Sequence, residues 1–367
     1  MRVRPAEILA NIQHVSCLGL PSEAAIPAML QLFDTLVDSR NSNFVWTDRA
    51  GRPTNIYARF LVPAALDVML HHSQLLYRPG EISFEMHTTS TLAAGNMERF
   101  KATTNYEKTI AYNEIWKPHA VEQFSDIILR DRTGPRGLVM IGRAANDTGF
   151  TVQEEQRVQA LRPWLLHALD TPPAAELSSV ETGEEAVLLC DYRGAVIQMG
   201  PNAAKLLLYA GNGRIAPGAV IAGLGDAMPE TVRRVCQNLA AIMSGRPADV
   251  PQARLKTSWG TFNFRAHALG TGLPGKGPEG LLAVVIRREQ PFALMLHNRV
   301  AHMPLTPRQR QVAVMIGLGR SPETIQRDLE LSAGTYRRHV EEIHGRLGVH
   351  SRAELMAALM TREPTSN

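Results

Sequence analysis

Helix-start signals recur so densely between Leu305 and Met360 that this stretch can fold into little other than a tight cluster of short helices. Thr306-Pro307-Arg308-Gln309 has the form of a capping box, with Thr at the N-cap, Pro at the first helical position and Gln three residues after the cap. The Thr hydroxyl can accept from the Gln309 backbone N–H while the Gln side chain reaches back. Gly317-Leu318-Gly319 then supplies a left-handed stop. Ser321-Pro322-Glu323 opens a second helix, again with Pro first and an acid in the first turn. Ser332 caps a third helix that ends near Gly348, and Ser351-Arg352-Ala353-Glu354 is another capping box that opens a last one.

The third helix sets the chemistry. Tyr336, Val340, Ile343 and Leu347 recur at spacings of four, three and four, which makes one buried stripe. The opposite face carries Gly334, Arg337, Arg338, Glu341 and Gly345. A helix that enters the major groove by its N-terminal half offers this part to base edges. An arginine fork matches O6 and N7 of guanine, and Glu341 can accept from the cytosine amino group. Consecutive capped helices with tight turns and an arginine pair in the second turn set this pattern apart from an ordinary solvated helix face. The expected partner is double-stranded DNA.

Leu305-Thr306-x-Arg308, Gly319, Ser321 and Ile325 are followed by Ser332-x-x-Thr335-Tyr336-Arg337-Arg338-His339. Ile343-x-x-Arg346-Leu347-Gly348-Val349 and Arg352-x-Glu354 complete the pattern. In these residues the segment resembles the LuxR-type helix-turn-helix domain of bacterial transcription regulators. Gln309 stands where the family usually has Glu, Tyr336 where it has Val, and Arg337 where it has Lys; cap, buried contact and cation are kept. Glu341 stands where the family often places a base-contacting Lys or polar residue, which weakens the local electrostatics. The resemblance implies phosphate contacts from Arg308 and Thr335, and a dimer surface on the last helix, Ser351 to Met360. With the caps Thr306 and Ser332, the expected DNA-contacting set is Thr306, Arg308, Ser332, Thr335, Tyr336, Arg337, Arg338 and Glu341.

The rest of the chain must be more than a tail, because 367 residues are enough for two or three domains with cores of their own. A formal net charge of +4 suits one modest DNA surface and excludes a polycation of the histone kind. Cys17, Cys190 and Cys236 are far apart and form no CxxC pair, so neither a zinc ribbon nor a disulfide framework is expected. No run of eighteen apolar residues and no signal-peptide pattern occurs, which points to a cytoplasmic protein with no membrane partner.

Two linker-like stretches divide the upstream part. Thr171 to Ser179 is Pro- and Ser-rich, and residues 291–303 read as a short connecting helix. In residues 1–170, strands are expected at Asn43–Thr47, Asn55–Tyr57, Gln123–Leu129 and Gly137–Ile141, with a turn at Asp131–Gly134. A single long helix is expected from Phe150 to Leu169, capped by Thr151 and Glu154. Its stripe of Val158, Leu161, Leu165 and Leu169 suits core packing or a parallel dimer contact. The strand–turn–strand–helix from Gly134 to Leu169 is similar to the end of GAF-like sensor domains. In residues 180–290 a hairpin (Ala186–Asp191, Ala195–Gln198), helices at Asn202–Tyr209 and Pro229–Met243, and a closing meander are expected. The meander strands are Ala253–Thr257, Thr261–Arg265 and Leu281–Ile286, and this succession is similar to a PAS-like module. The expected fold class is therefore α+β: a GAF-like sensor domain over 1–170, a PAS-like α+β domain over 180–290, a linker helix over 291–303 and an all-α four-helix LuxR-type unit over 304–362.

Candidate chemistry upstream is sparse. Gly270 to Gly277 nearly spells a P-loop, but Gly277 follows Lys276 where Ser or Thr would hold magnesium, and a strand follows where a helix is needed. His71, His72 and His87 lack ligand spacing, so no metal and no cofactor are expected. The aromatics Trp46, Tyr57, Phe84, Phe100, Trp116 and Phe124 sit in a sheet-and-helix domain where an apolar pocket with a few polar anchors would hold a small molecule. The expected effector-binding set is Trp46, Tyr57, Arg59, Phe84, His87, Trp116 and His119. A phosphorylated receiver domain does not fit this region, because the required order of acids and a later Lys is missing.

These readings converge on a non-enzymatic, one-component, ligand-responsive regulator of transcription. It would bind an inverted-repeat operator as a homodimer, respond to a small-molecule effector and have RNA polymerase as a candidate partner. The competing expectation is that the sensor domains turn over a small metabolite and the helix-turn-helix serves to localise them.

Overall fold

The computed structural model describes residues 5–37, 39, 41–59, 68–69, 73–79, 81, 83–89, 106–117, 123–144, 146–171, 178–211, 230–269 and 281–360. Within them the chain is a mixed α+β protein built on two antiparallel sheets and a C-terminal group of helices.

The first sheet has the order β2-β1-β4-β3, with β1 at Asn41–Thr47, β2 at Pro53–Ala58, β3 at Gln123–Asp131 and β4 at Gly134–Arg143. The β3–β4 turn is held by the Asp131 carboxylate, which accepts from the Thr133 backbone N–H at 2.7 Å. Helices α1 (Pro5–Ser16) and α2 (Ser22–Phe33) pack on each other and deliver Ile12, Val15, Ile26 and Phe33 to the core. The short helix α3 (Phe84–Thr89) lies against β4.

The single helix expected from Phe150 to Leu169 is in fact two, α4 (Val152–Gln159) and α5 (Arg162–Asp170). Pro163 explains the break: it has no backbone N–H for the ladder, and its ring would clash with the carbonyl four residues earlier. The Thr151–Glu154 capping box forms as read. Val158, Leu161 and Leu165 are buried in the core of the same chain, so this stripe is a packing face.

The second sheet has the order β6-β5-β9-β8-β7. Its strands are β5 (Ser179–Cys190), β6 (Val196–Met199), β7 (Gln252–Thr257), β8 (Gly260–Leu269) and β9 (Leu281–Pro291), with α6 (Pro201–Ala210) and α7 (Glu230–Met243) packed against it. Strand β5 starts well before the expected Ala186, because Ser179 already pairs with Pro291 at the end of β9. Alternation places Phe262, Phe264 and Ala266 of β8 in the core, beside Leu282, Val284 and Ile286 of β9. The tight β7–β8 turn needs Gly260: its φ is 124°, and a Cβ there would lie 2.5 Å from the Glu289 carbonyl oxygen.

The two sheets share one continuous apolar core. Trp46 of β1 meets Trp259 of the β7–β8 turn edge-on, with ring centroids 5.6 Å apart. Helix α8 (Phe292–Ala301) follows β9 without a break and leads into α9 (Pro307–Gly317), α10 (Pro322–Asp328), α11 (Ala333–Leu347) and α12 (Arg352–Met360). A second core joins α8 to these four helices through Leu296, Val300, Val312, Ile325, Ile343, Leu355 and Leu359. Among the described residues no helix is long and apolar enough to cross a membrane.

Candidate functional site

The four C-terminal helices start where their caps say they should. The Thr306 hydroxyl accepts from Gln309 N–H at 3.4 Å, while Thr306 N–H donates to the Gln309 side chain at 2.9 Å. Ser321 accepts from Thr324 N–H at 3.2 Å, Ser332 from Thr335 N–H at 3.1 Å and Ser351 from Glu354 N–H at 3.1 Å. Gly348, with φ 66°, closes α11 in the left-handed conformation. The turn between α10 and α11 places Glu330 at φ 50°, a strained position for a residue with a Cβ. Arg308 helps hold this turn by donating to the Leu329 carbonyl, and it also reaches the Gln311 side chain at 2.8 Å.

On α11 the stripe separates as read. Ile343 is fully buried, and Tyr336, Val340 and Leu347 pack around it half-buried. Burial raises the Tyr336 phenol above its usual range, so it stays a neutral hydroxyl at pH 7. Arg337, Arg338 and Glu341 are exposed on the outer face. Arg338 lies 3.9 Å from Glu342, which in turn accepts from the buried Gln309 amide at 2.6 Å. Arg337 makes no hydrogen bond or ion pair among the described residues, so its whole donor fork is available to a base edge.

The rest of the expected DNA-contacting set is more constrained. Ser332 and Thr335 share a hydroxyl contact at 2.8 Å, and Thr306 caps α9. Exposed guanidinium groups that sequence reasoning passed over flank the unit at Arg320 and Arg327. No spacing rule selects them, because exposure is decided by how the three helices cross.

The expected effector set is divided. Tyr57 and Arg59 line a cavity of about 600 Å³ between the two sheets and α8. Trp46 sits one layer behind it, edge-on to the lining residue Trp259. Phe84 is buried in the core, and His87 lies 2.8 Å from the buried Asp126 carboxylate; neither lines the cavity. Trp116 ends a short π-helical turn, Tyr112–Trp116. His119, Phe100, His71, His72 and the loop Gly270–Gly277 lie outside the described residues. The opposite wall, with Glu184, Lys205, Tyr209, Trp259 and Arg288, comes from the second sheet, its β7–β8 turn and helix α6, and sequence reasoning missed it. These residues are scattered over more than a hundred positions and carry no motif, so only the packing reveals them.

Helix α8 connects the two sites. Leu294 and Asn298 face the cavity, Leu296 and Val300 enter the second core, and Arg299 donates to the Leu359 and Met360 carbonyls at the end of α12, at 3.0 and 2.6 Å. Its remaining face sets His297 against His14 of α1, with Nδ1 atoms 3.2 Å apart. Burial lowers His14 from 6.5 to about 4 and His297 to about 3. Between those values and 6.5 the unfolded chain binds more protons than the folded one, so this contribution to stability is complete above pH 6.5 and is lost as the pH falls toward 4. Acidification to about pH 5 is expected to cost on the order of 2 kcal/mol per imidazole. Denaturant titrations at several pH values check this: the double substitution His14→Gln, His297→Gln should flatten the acid limb, and an unchanged limb would remove these rings as its cause.

Comparison with known proteins agrees with the geometry of the C-terminal unit. No curated protein matches the chain. Among solved structures, a phage VqmA–DPO complex is similar at 16% identity, over 49% of this chain and 82% of that one, with a TM-score of 0.19. The sensor region of a sensor histidine kinase is similar at 17% identity, over 50% of this chain and 70% of that one, with a TM-score of 0.20. An E. coli DhaR(N)–DhaL complex is similar at 13% identity, over 78% of this chain and 90% of that one, with a TM-score of 0.21. Likeness at this level assigns no role to any residue. Residues 303–359, in contrast, match the luxR family of bacterial regulatory proteins (GerE), so the capped helices α9 to α12 are a LuxR-type helix-turn-helix DNA-binding domain, the mark of a transcription regulator.

Proposed function

We propose that the chain is a one-component, ligand-responsive transcription regulator that binds an inverted-repeat operator as a homodimer. The exposed Arg337–Arg338–Glu341 face of α11 carries this reading, since it stands on a fully capped unit with Arg337 free to dock. The hairpin β5–β6, the intervening helices and the meander β7–β8–β9 support a PAS-like middle domain, and β3–β4 with α4 and α5 support a GAF-like first domain. The outer side of α12, where Ala353 and Met360 are exposed while Leu355 and Leu359 are buried, suits the dimer contact. An effector acts by binding one arrangement of the sensor domains and α8 more tightly than another, which shifts how two recognition helices are presented. The role is regulatory and not catalytic.

Operators selected by the full chain from random duplex DNA provide the test. Arg337→Ala is expected to weaken binding by about 1–3 kcal/mol and to relax preference at one base pair of each half-site. Unchanged affinity and unchanged preference would refute the docking of α11 in the major groove.

A further inference from the structure

We infer that the cavity between the two sheets and α8 is the effector site, and that its ligand is a small zwitterion bearing both a carboxylate and an ammonium group, such as an amino acid or a dipeptide. The inference rests on the ligand-responsive reading above and gives it a place and a chemistry.

The lining is charge-balanced. Glu23, Asp34 and Glu184 face Arg59, Lys205 and Arg288, three acids against three bases. On the first-domain wall Arg59 pairs with Asp34 at 3.2 Å. On the second-domain wall Glu184 pairs with Lys205 at 2.5 Å and with Arg288 at 3.1 Å. Burial works against ionisation of Glu184, yet these two cations hold its carboxyl below the usual range, so Glu184 is a carboxylate at pH 7.

A ligand with a net charge would leave an uncompensated charge in a partly desolvated site, which is costly. A zwitterion adds none, and it can offer a carboxylate to the guanidinium groups and an ammonium to the acids. A long acyl chain would instead bury against ion pairs and leave them with fewer polar neighbours. The volume, about 600 Å³, is of the size that small-molecule sites have.

Two further features point to a polar guest with a modest side chain. The Tyr209 hydroxyl is buried and has no hydrogen-bond partner among the described residues. Burial pushes that phenol and the one on Tyr57 up, so both are neutral hydroxyls at pH 7. The stacked pair Tyr209–Trp259, with centroids 4.1 Å apart, and the helix residues Pro27, Ala28 and Leu294 give apolar surface for the body of the ligand. Because Leu294 and Asn298 belong to α8, an occupant touches the helix whose other side carries α12 and the second core. That contact is the route from effector to DNA.

The test is thermal-shift and calorimetric titration of the full chain with the proteinogenic amino acids and a set of dipeptides. Straight-chain monocarboxylates, alkylamines and acyl amides form the comparison arms. The expected result is stabilisation and binding by at least one zwitterion, weaker by about tenfold to a hundredfold in Arg59→Ala and in Glu184→Gln. Ala28→Trp, which fills the cavity from an accessible helix position, should abolish it. Binding of a zwitterion that all three variants leave unchanged would overturn the site. Binding only of monocarboxylates, amines or acyl amides would overturn the ligand class while leaving ligand responsiveness intact. No stabilisation by any arm would overturn both.

Discussion

Trp259→Ala is expected to destabilise the chain by about 3–5 kcal/mol, in one unfolding transition that takes both sheets with it. Trp259 is 1% exposed and is the largest fully buried side chain among the described residues. It stacks on Tyr209, meets Trp46 edge-on, and its carbonyl accepts two bonds from the Arg288 guanidinium at 2.9 and 2.6 Å. Truncation removes the indole from between the two sheets and leaves a cavity that the rigid β7–β8 turn cannot collapse into, because Gly260 already lies against the Glu289 backbone. The floor of the charged cavity goes with it, so effector binding should fall as well. Denaturant unfolding followed by tyrosine and tryptophan fluorescence and by circular dichroism checks the first claim. A loss below about 1 kcal/mol, or melting of the second sheet alone, would show that the shared core is weaker than its packing indicates.

Ile343→Ala is expected to cost about 2–5 kcal/mol and to abolish operator binding while both sheets remain folded. Ile343 is completely buried where α11 crosses α9 and α10. The core it serves is small and joins the two-sheet part of the chain mainly through α8, so its loss concentrates on the C-terminal helices. The effect on binding then exceeds that of Arg337→Ala, because the whole presenting helix is loosened rather than one contact removed. Operator titration together with circular dichroism separates the outcomes. Retained binding at unchanged affinity would mean that α11 is held by its caps and surface contacts alone.

The C-terminal unit was legible almost residue by residue, and the reason is physical. A capping box such as Thr306–Gln309 is closed by groups three positions apart, and the stripe Tyr336–Val340–Ile343–Leu347 follows from the helical repeat. Strands and turns upstream were legible for the same reason, down to the Asp131–Gly134 turn. Local reading failed at two places: Pro163 ends the ladder that the apolar stripe alone would have carried through to Leu169, and pairing of Ser179 with Pro291 starts β5 before Ala186.

The assignment of Arg308 shows the limit of local reading within the unit itself. Its motif position fits a phosphate contact, yet tertiary packing gives its guanidinium the Leu329 carbonyl, at the turn where Glu330 is strained. The upstream site shows the limit more sharply. The sequence points to Tyr57 and Arg59 beside Phe84 and His87 as one pocket, but the sheet separates them, sending Tyr57 and Arg59 to the cavity between the two sheets and His87 to Asp126.

By itself, then, the sequence determined the α+β class, the capped C-terminal helices and the exposed placement of Arg337 and Arg338, since these depend on interactions over a few residues. Only the tertiary structure decided that Asp34 and Arg59 would lie across from Glu184 and Arg288, and that α8 would touch both the cavity and the DNA-binding unit. Those neighbours are brought together by the packing of two sheets on a common core, and no spacing along the chain records it.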